Sequence, residues 1–491
     1  MKTFSMMLAL SALVLGGCKR VNPAYCPDNP EKLCGFDGGG ADAAVDMAHP
    51  ACTMSMECPP DNPICDGRLC VACTTKADGG SSSECAAFHS TLPFCGPGGN
   101  CVECLGRNDC AASQKTCNLA KNVCDFCKTN GDCATGVCLD TGLCAKQSQV
   151  TFVDNRGMLV ADCKTKFGNA DGTSRVSAMC DVPEAIVAPA QTPFIVVAGS
   201  AQSYSAIKIA TTTKAQTVNI VGPGKSAALT ALISGQNGFA GVSISTGGAA
   251  ATVTLDGLDI GGSGGLMKAN GVECIVNNGD VKLTIRNSNV RDSGKIGVTV
   301  TDCTLILDED NIVTNQGGGV KIAGSNTYSI TNTFIVANQG SLSRGVSLDD
   351  ATTGVFAFNT VASNGPMKDF KGGISCGLGS TKLIESSIIF DNTQDVMNMT
   401  QFAGNCQLVN IVSGTDMVNG TSKLVPEFVN PNDPMKPLDF HMVKGSSKNA
   451  ACCIDKVGPG DGGGVTLPDH DVDGNHRPVN LLWDIGAHEQ Q

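Results

Sequence analysis

Apolar and polar residues alternate in short runs across the middle of the chain. "GVEC" begins at Gly271, "GVTV" at Gly297, "GVKI" at Gly319, "GVSL" at Gly345 and "GISC" at Gly373, at spacings of 26, 22, 26 and 28 residues. Between them lies a second alternating element: "LTIRNSNV" (283–290), "LILDEDNIV" (305–313), "SITNTFIV" (329–336), "VFAFNTV" (355–361) and "LIESSIIF" (383–390). Period-two alternation predicts strands. A cycle of about 25 residues holding two or three short strands cannot hide its apolar face alone, so the repeat predicts stacked coils around one continuous core. A sandwich of hairpins would instead show turns every 8–12 residues. Gly and Asn are expected to supply left-handed backbone at the corners. Asn315, Asn338, Asn364 and Asn392 recur at one place in the cycle and are expected to stack as a hydrogen-bonded ladder.

These runs resemble right-handed parallel β-helix proteins of the pectate-lyase-like superfamily. The earlier segments "PFIVVAGSAQSYSAIKI" (193–209), "VNIVGPGKSAALTALISG" (218–235) and "VTLDGLDIGGSG" (253–264) read as the first coils, and "VPEAIVAPA" (182–190) as an N-terminal cap. The fold class expected is all-β, a right-handed parallel β-helix over 150–425, following a small disulfide-rich repeat region.

Cysteine usage defines that repeat region. Sixteen cysteines between Cys52 and Cys144 parse as four units of four, joined by the C-x2-C steps "CVAC", "CVEC" and "CDFC". An acid precedes the second cysteine of each unit (Glu57, Glu84, Asp109, Asp132). Units this small need crosslinks to hold a fold. C-x2-C is also zinc spacing, but twenty-seven cysteines in all imply an oxidising compartment and disulfides. The repeats (52–147) resemble short EGF-like stalk modules. Local pairs are expected at Cys26 with Cys34, Cys163 with Cys180, Cys274 with Cys303 and Cys376 with Cys406. Cys452 and Cys453 either bond each other or reach separate partners.

The N-terminus is consistent with that compartment. "MKTFSMMLALSALVLGGC" has Lys2, then an apolar run too short to span a bilayer, then Cys18. "LGGC" resembles a bacterial lipobox, which implies a signal peptide over 1–17 and lipidation of Cys18. Lys19 after it implies the outer membrane. Residues 18–51 read as the lipidated N-terminus and a flexible linker. The partners expected are the membrane, through the lipid, and an extracellular polysaccharide or envelope component. The net charge of −12 gives nucleic acid nothing to bind.

The C-terminal 426–491 segment resembles an ending of bacterial surface β-helix proteins, D-x-D-G-x-x-R-P followed by D-I-G-A-x-E. The matching residues are Asp471, Asp473, Gly474, Arg477, Pro478, Asp484, Gly486 and Glu489. Of these, Asp473, Arg477, Asp484 and Glu489 are expected to form a charged, hydrogen-bonded clasp over the last rung. Asp469, Asp471 and Asp473 alternate as in a calcium loop, but the twelfth position is Asn480 rather than the Glu of an EF-hand, so Ca²⁺ is only the alternative reading and no cofactor is expected. His470, His476 and His488 fall within 19 residues of one another, a grouping that suggests zinc, but their loop setting reads as solvated histidine.

Lyases of this shape need a basic residue and a way to hold an enolate, and hydrolases need paired carboxylates. Candidates are Asp308, Glu309 and Asp310 on one rung, Asp349 and Asp350 on a later one, with Lys321 and Arg344 nearby. Adjacent acids on a solenoid are expected to point into water. The function expected is therefore non-catalytic glycan or matrix binding, adhesion or envelope scaffolding at the surface. The alternative is a lyase or hydrolase of acidic polysaccharides.

Overall fold

A computed structural model of the chain describes residues 58–490 apart from short stretches, the longest being 75–82, 262–268, 366–372, 393–400 and 414–420. The signal segment, Cys18, Cys26, Cys34, Arg344 and Asp350 lie outside the described residues.

The body is a right-handed parallel β-helix with three sheets. Sheet A has eight strands, from Ile207–Thr211 to Phe402–Gly404. Sheet B has ten, from Val150–Val153 to Cys406–Val409, and sheet C has ten, from Tyr204–Ser205 to Thr421–Ser422. The chain runs from B to C to A, then down one coil. Every strand pairs in parallel with its copy in the next coil, so Val253, Leu283, Leu305 and Tyr328 form one column. Alternation decides which residues fill the inside. In Val281–Arg286 the side chains of Val281, Leu283 and Ile285 are buried, while Lys282, Thr284 and Arg286 face outward. Each fully buried Leu or Ile contributes about 1.5–3 kcal/mol of transfer energy, and the columns make that gain continuous along the axis.

From Gly257 onward, each described B-to-C corner, and from Asp292 onward each described C-to-A corner, turns on one left-handed residue. Between sheets B and C these are Gly257, Asn287, Glu309, Asn332, Phe358, Ser386 and Asn410. Between C and A they are Asp292, Thr314, Ala337, Ser363 and Asp391. Gly and Asn thus fill fewer corners than expected. One left-handed residue costs about 1–2 kcal/mol, and the stacking of the strands on either side outweighs it.

The asparagine ladder runs inside the C-to-A corner. Asn315 Nδ2 donates to Asn338 Oδ1 (2.9 Å), Asn338 to Asn364 (2.9 Å), Asn364 to Asn392 (2.8 Å), and Asn392 to Gln401 Oε1 (2.9 Å). The ladder also explains the repeated "GV". A Cβ at Gly297 would lie 2.6 Å from Asn315 Nδ2, and one at Gly345 2.9 Å from Asn364 Nδ2. Disulfides Cys274–Cys303 and Cys376–Cys406 staple neighbouring coils, and Cys163–Cys180 closes the entry segment. The short helix Val182–Val187 buries Val182, Ala185 and Ile186 in the main core, against the first strands.

The cysteine units pair first to third and second to fourth: Cys73–Cys95 with Cys85–Cys101, Cys104–Cys117 with Cys110–Cys124, and Cys127–Cys138 with Cys133–Cys144. The repeated acid has a backbone role. Asp109 Oδ2 accepts the N–H groups of Leu105 and Gly106, and Asp132 Oδ2 those of Lys128 and Thr129. The fourth unit is not a free spacer. Val137 and Ala145 pack with Val150, Phe152, Val196 and Val221 on the outer face of sheet B.

The C-terminal segment departs from the expected cap. It lies lengthwise along the flank, not over the last rung. Gly486 N–H donates to the Ser386 carbonyl (2.9 Å) and Ala487 N–H to Thr360 Oγ1 (3.1 Å), and the Lys225 ammonium, many coils earlier, donates to the Val472 carbonyl. The outward face of sheet C gives the reason. In the early coils it carries Asp259, Asn289, Arg291 and Asn311; in later ones it carries Phe334, Val336, Ala362 and Ile388. Those apolar residues, with Phe358, form a second core against Phe428, Phe440, Met442, Val457, Val472, Ile485 and Ala487. The vicinal disulfide Cys452–Cys453 lies in this core.

Candidate functional site

The residues of the C-terminal motif make a self-contained strap. Asp471 is buried. Its Oδ1 accepts the N–H groups of Asp473 and Asn475, and its Oδ2 accepts Glu489 N–H and Asn475 Nδ2. A carboxylate has about four lone-pair sites, so Asp471 has none left for a cation. Asp469 points to solvent and to His470, and Asp473 to His441. The calcium reading of Asp469, Asp471 and Asp473 is therefore not supported. Arg477, fully buried, donates to the Gly486 carbonyl (2.9 Å), lies 3.6 Å from Glu489 and sits over the Phe358 ring. Pro478 follows it in the loop. Glu489 accepts the N–H groups of Val479 and Asp484, and Asp484 accepts those of Asp455 and Gln490. Burial pushes the Asp484 carboxyl up to about 7. Gly474 and Gly486 turn with positive φ.

Where the strap crosses the B-to-C corner, it meets the acidic triplet. Asp308 ends a sheet B strand, Glu309 is the left-handed corner residue, and Asp310 turns inward. The three acids do not all face water, because the left-handed step at Glu309 sends the next side chain into the corner. Asp310 is 0% exposed and accepts Ser288 N–H. Burial raises its carboxyl well above the usual range. Lys225 reaches the same corner from the loop after Gly224 and donates to the carbonyls of Glu309 and Val472. Burial lowers its ammonium, against the pull of Asp310 and Asp473.

His470 comes from the strap. Its Nε2 lies 3.2 Å from Asp308 Oδ2 and 3.1 Å from Glu309 Oε1, and its Nδ1 lies 2.6 Å from Asp469 Oδ1. The Asp308 hydrogen bond is the largest cause that lifts this imidazole to about 9. Burial pulls the Asp308 carboxyl up, but the bond from His470 and its charge outweigh it, so Asp308 lies below its usual value. Burial raises Glu309. His488 is half-buried and held down at about 4 by burial and by His441, whose own ring is lifted to about 9 because Asp473 and Asp439 overcome its burial. Of the three tail histidines, only His476 is exposed as expected.

Asp256, Arg286 and Asp308 occupy one position in three successive coils. Arg286 Nε donates to Asp256 Oδ2 (3.0 Å), which also accepts Asn130 Nδ2 from the fourth cysteine unit (2.8 Å). The unit, this column and the strap enclose a cleft of about 650 Å³, lined by Lys128, Asn130, Asp140, Asp256, Arg286, Asp308, Glu309, His470, Asp473 and others. Asp256, Arg286 and Lys225 were not singled out from the sequence. The signal for the first two was present, since "VTLD", "LTIR" and "LILD" end at the same repeat position. Lys321 and Asp349 are elsewhere. Lys321 stacks between Thr299 and Ser347 on sheet A, and Asp349 follows that sheet's next strand.

The family model described as "Right handed beta helix region" matches residues 270–428. No curated protein matches the chain. Among solved structures, pectate lyase Pel9A is similar over 70% of this chain and 96% of its own, at 12% identity and a TM-score of 0.36, which is no basis for a shared activity. The main body of this chain is a right-handed parallel β-helix, the fold that the matching family model describes.

Proposed function

We infer that the protein is an outer-membrane lipoprotein, anchored through Cys18, that presents its β-helix outward as a non-catalytic binding surface for an extracellular or envelope polymer. The observation that carries the binding reading is that the three cations described around the acidic triplet are all engaged. Arg286 is paired to Asp256, Lys225 donates to two carbonyls, and His470 touches three carboxylates. A lyase needs a free base there. Carboxylates also outnumber cations in the lining: Asp140, Asp256, Asp308, Glu309 and Asp473 face Lys128, Arg286 and His470. This charge repels uronic-acid polymers and favours a neutral glycan. The test is affinity electrophoresis of the exported chain through gels holding neutral or uronic-acid polysaccharides. Retardation by a neutral polymer alone supports the reading; retardation only by acidic polymers, or by none, contradicts it.

A hydrolase is the second reading, because the carboxyls of Asp308 and Glu309 both line the cleft and come within 4.8 Å of each other, with their proton affinities pushed apart: Asp308 lowered, Glu309 raised. That is the pattern of a base or nucleophile beside an acid. Release of reducing ends from a bound neutral glycan would establish it.

A further inference from the structure

The geometry points to a divalent transition-metal site, of the zinc type, formed by Asp308, Glu309 and His470 at the wall of the flank cleft. The three ligand atoms converge. His470 Nε2 is 3.2 Å from Asp308 Oδ2 and 3.1 Å from Glu309 Oε1, and all three lie within 4.8 Å of one another. Zinc bonds of about 2.0–2.2 Å to N and O ligands set tetrahedral ligand-to-ligand edges of about 3.3–3.6 Å, so a small outward shift admits the ion.

The surrounding hydrogen bonds hold two of the three ligands in place. His470 Nδ1 lies 2.6 Å from Asp469 Oδ1. In the ion-free chain a proton on Nε2 fills the space between the ring and the two carboxylate oxygens. A metal ion would displace that proton and take its place, while the ring went on donating from Nδ1 to Asp469. A carboxylate on the far nitrogen is the usual orienting partner of a metal-bound histidine. Asp308 is prepared in the same way: its Oδ1 accepts Thr331 Oγ1 (3.0 Å) and Asn332 Nδ2 (3.1 Å), leaving Oδ2 for the ion. One imidazole and two carboxylates suit zinc and its neighbours better than Ca²⁺, which takes six to eight oxygens. All three residues line the cleft, so an ion held there would have room for water or a ligand oxygen as its fourth partner. Among the described residues, the cysteine clusters are closed as disulfides, and the cluster of Asp471, Asp473 and His488 does not qualify, because the lone pairs of Asp471 are filled.

The site rests on geometry alone and does not depend on what polymer the cleft binds. The test uses the untagged, exported chain, dialysed against chelator and titrated with Zn²⁺ alone by calorimetry, with metal content read by mass spectrometry. One ion per chain is expected. H470Q, a near-isosteric change whose fold is checked by circular dichroism, should weaken binding by at least 100-fold. D469N, which touches no ion, should weaken it by about 10–100-fold, and H488Q should not change it. Co²⁺ in place of Zn²⁺ should give visible bands that H470Q abolishes. No stoichiometric Zn²⁺, or an affinity unchanged in H470Q, overturns the proposal, and leaves the polymer reading to its own electrophoresis test.

Discussion

Asn364→Ala removes the middle of the asparagine ladder, and its cost can be worked bond by bond. The Asn364 side chain makes four buried hydrogen bonds. Its Oδ1 accepts Asn338 N–H (2.9 Å) and Asn338 Nδ2 (2.9 Å); its Nδ2 donates to the Ile335 carbonyl (2.7 Å) and to Asn392 Oδ1 (2.8 Å). At a net 0.5–1.5 kcal/mol each, the loss is about 2–6 kcal/mol. Alanine fits the backbone, so strain adds nothing. The matched control is Asn405→Ala, whose exposed side chain makes one 3.1 Å bond to Gly379 and should cost within about 0.5 kcal/mol. Urea unfolding under non-reducing conditions, followed by far-ultraviolet circular dichroism, reads both. With m unchanged, the midpoint shift gives the difference directly. A loss below 1 kcal/mol for N364A, or one equal to the control, would refute the coil-to-coil ladder.

Gly486→Ala should loosen the strap, since φ is +101° and a Cβ would meet Ile388 at 2.8 Å and Thr360 at 3.0 Å; a red shift in the emission of Trp483, the sole tryptophan, and faster proteolysis of the segment would report it. His441 faces Asp439, Asp473, His488 and Phe334, and its folded value of about 9 exceeds its unfolded 6.5. Its stabilisation is therefore complete below pH 6.5 and lost as pH rises through 9. H441Q should flatten that slope in pH-dependent unfolding, and an unchanged slope would contradict the pairing. Replacing Cys274 and Cys303 by alanine frees a loop with a sequence separation of 29 and should cost about 3–4 kcal/mol on the chain-entropy account, read by the same urea titration. Cys18→Ser should move the protein from the membrane pellet to the soluble exported fraction; retention in the pellet would remove the lipid anchor from the account.

The coil repeat was legible because a solenoid writes its contacts at a fixed sequence interval. Asn315, Asn338, Asn364 and Asn392 could be matched by position alone, and the cysteine units by their spacing. The flank was not legible. Nothing local announces that Phe334, Val336, Ala362 and Ile388, which alternate with core residues, are covered from outside by residues 428–487. The inward turn of Asp310 is hidden from the sequence for a related reason. Whether Asp310 points in or out depends on the left-handed step at Glu309, which side-chain chemistry does not foretell. His470 becomes part of the cleft only because the strap runs back across 162 residues of sequence to Asp308.

That return of the tail to the flank underlies the cleft, its charge and the ion site together. A double-mutant cycle of Asp308→Asn and His470→Gln, in chelator and with Trp483 emission as the probe, tests it most directly. Two residues in contact should couple by at least about 0.5 kcal/mol. Costs that add to within the error of the singles would place His470 away from Asp308 and contradict the account.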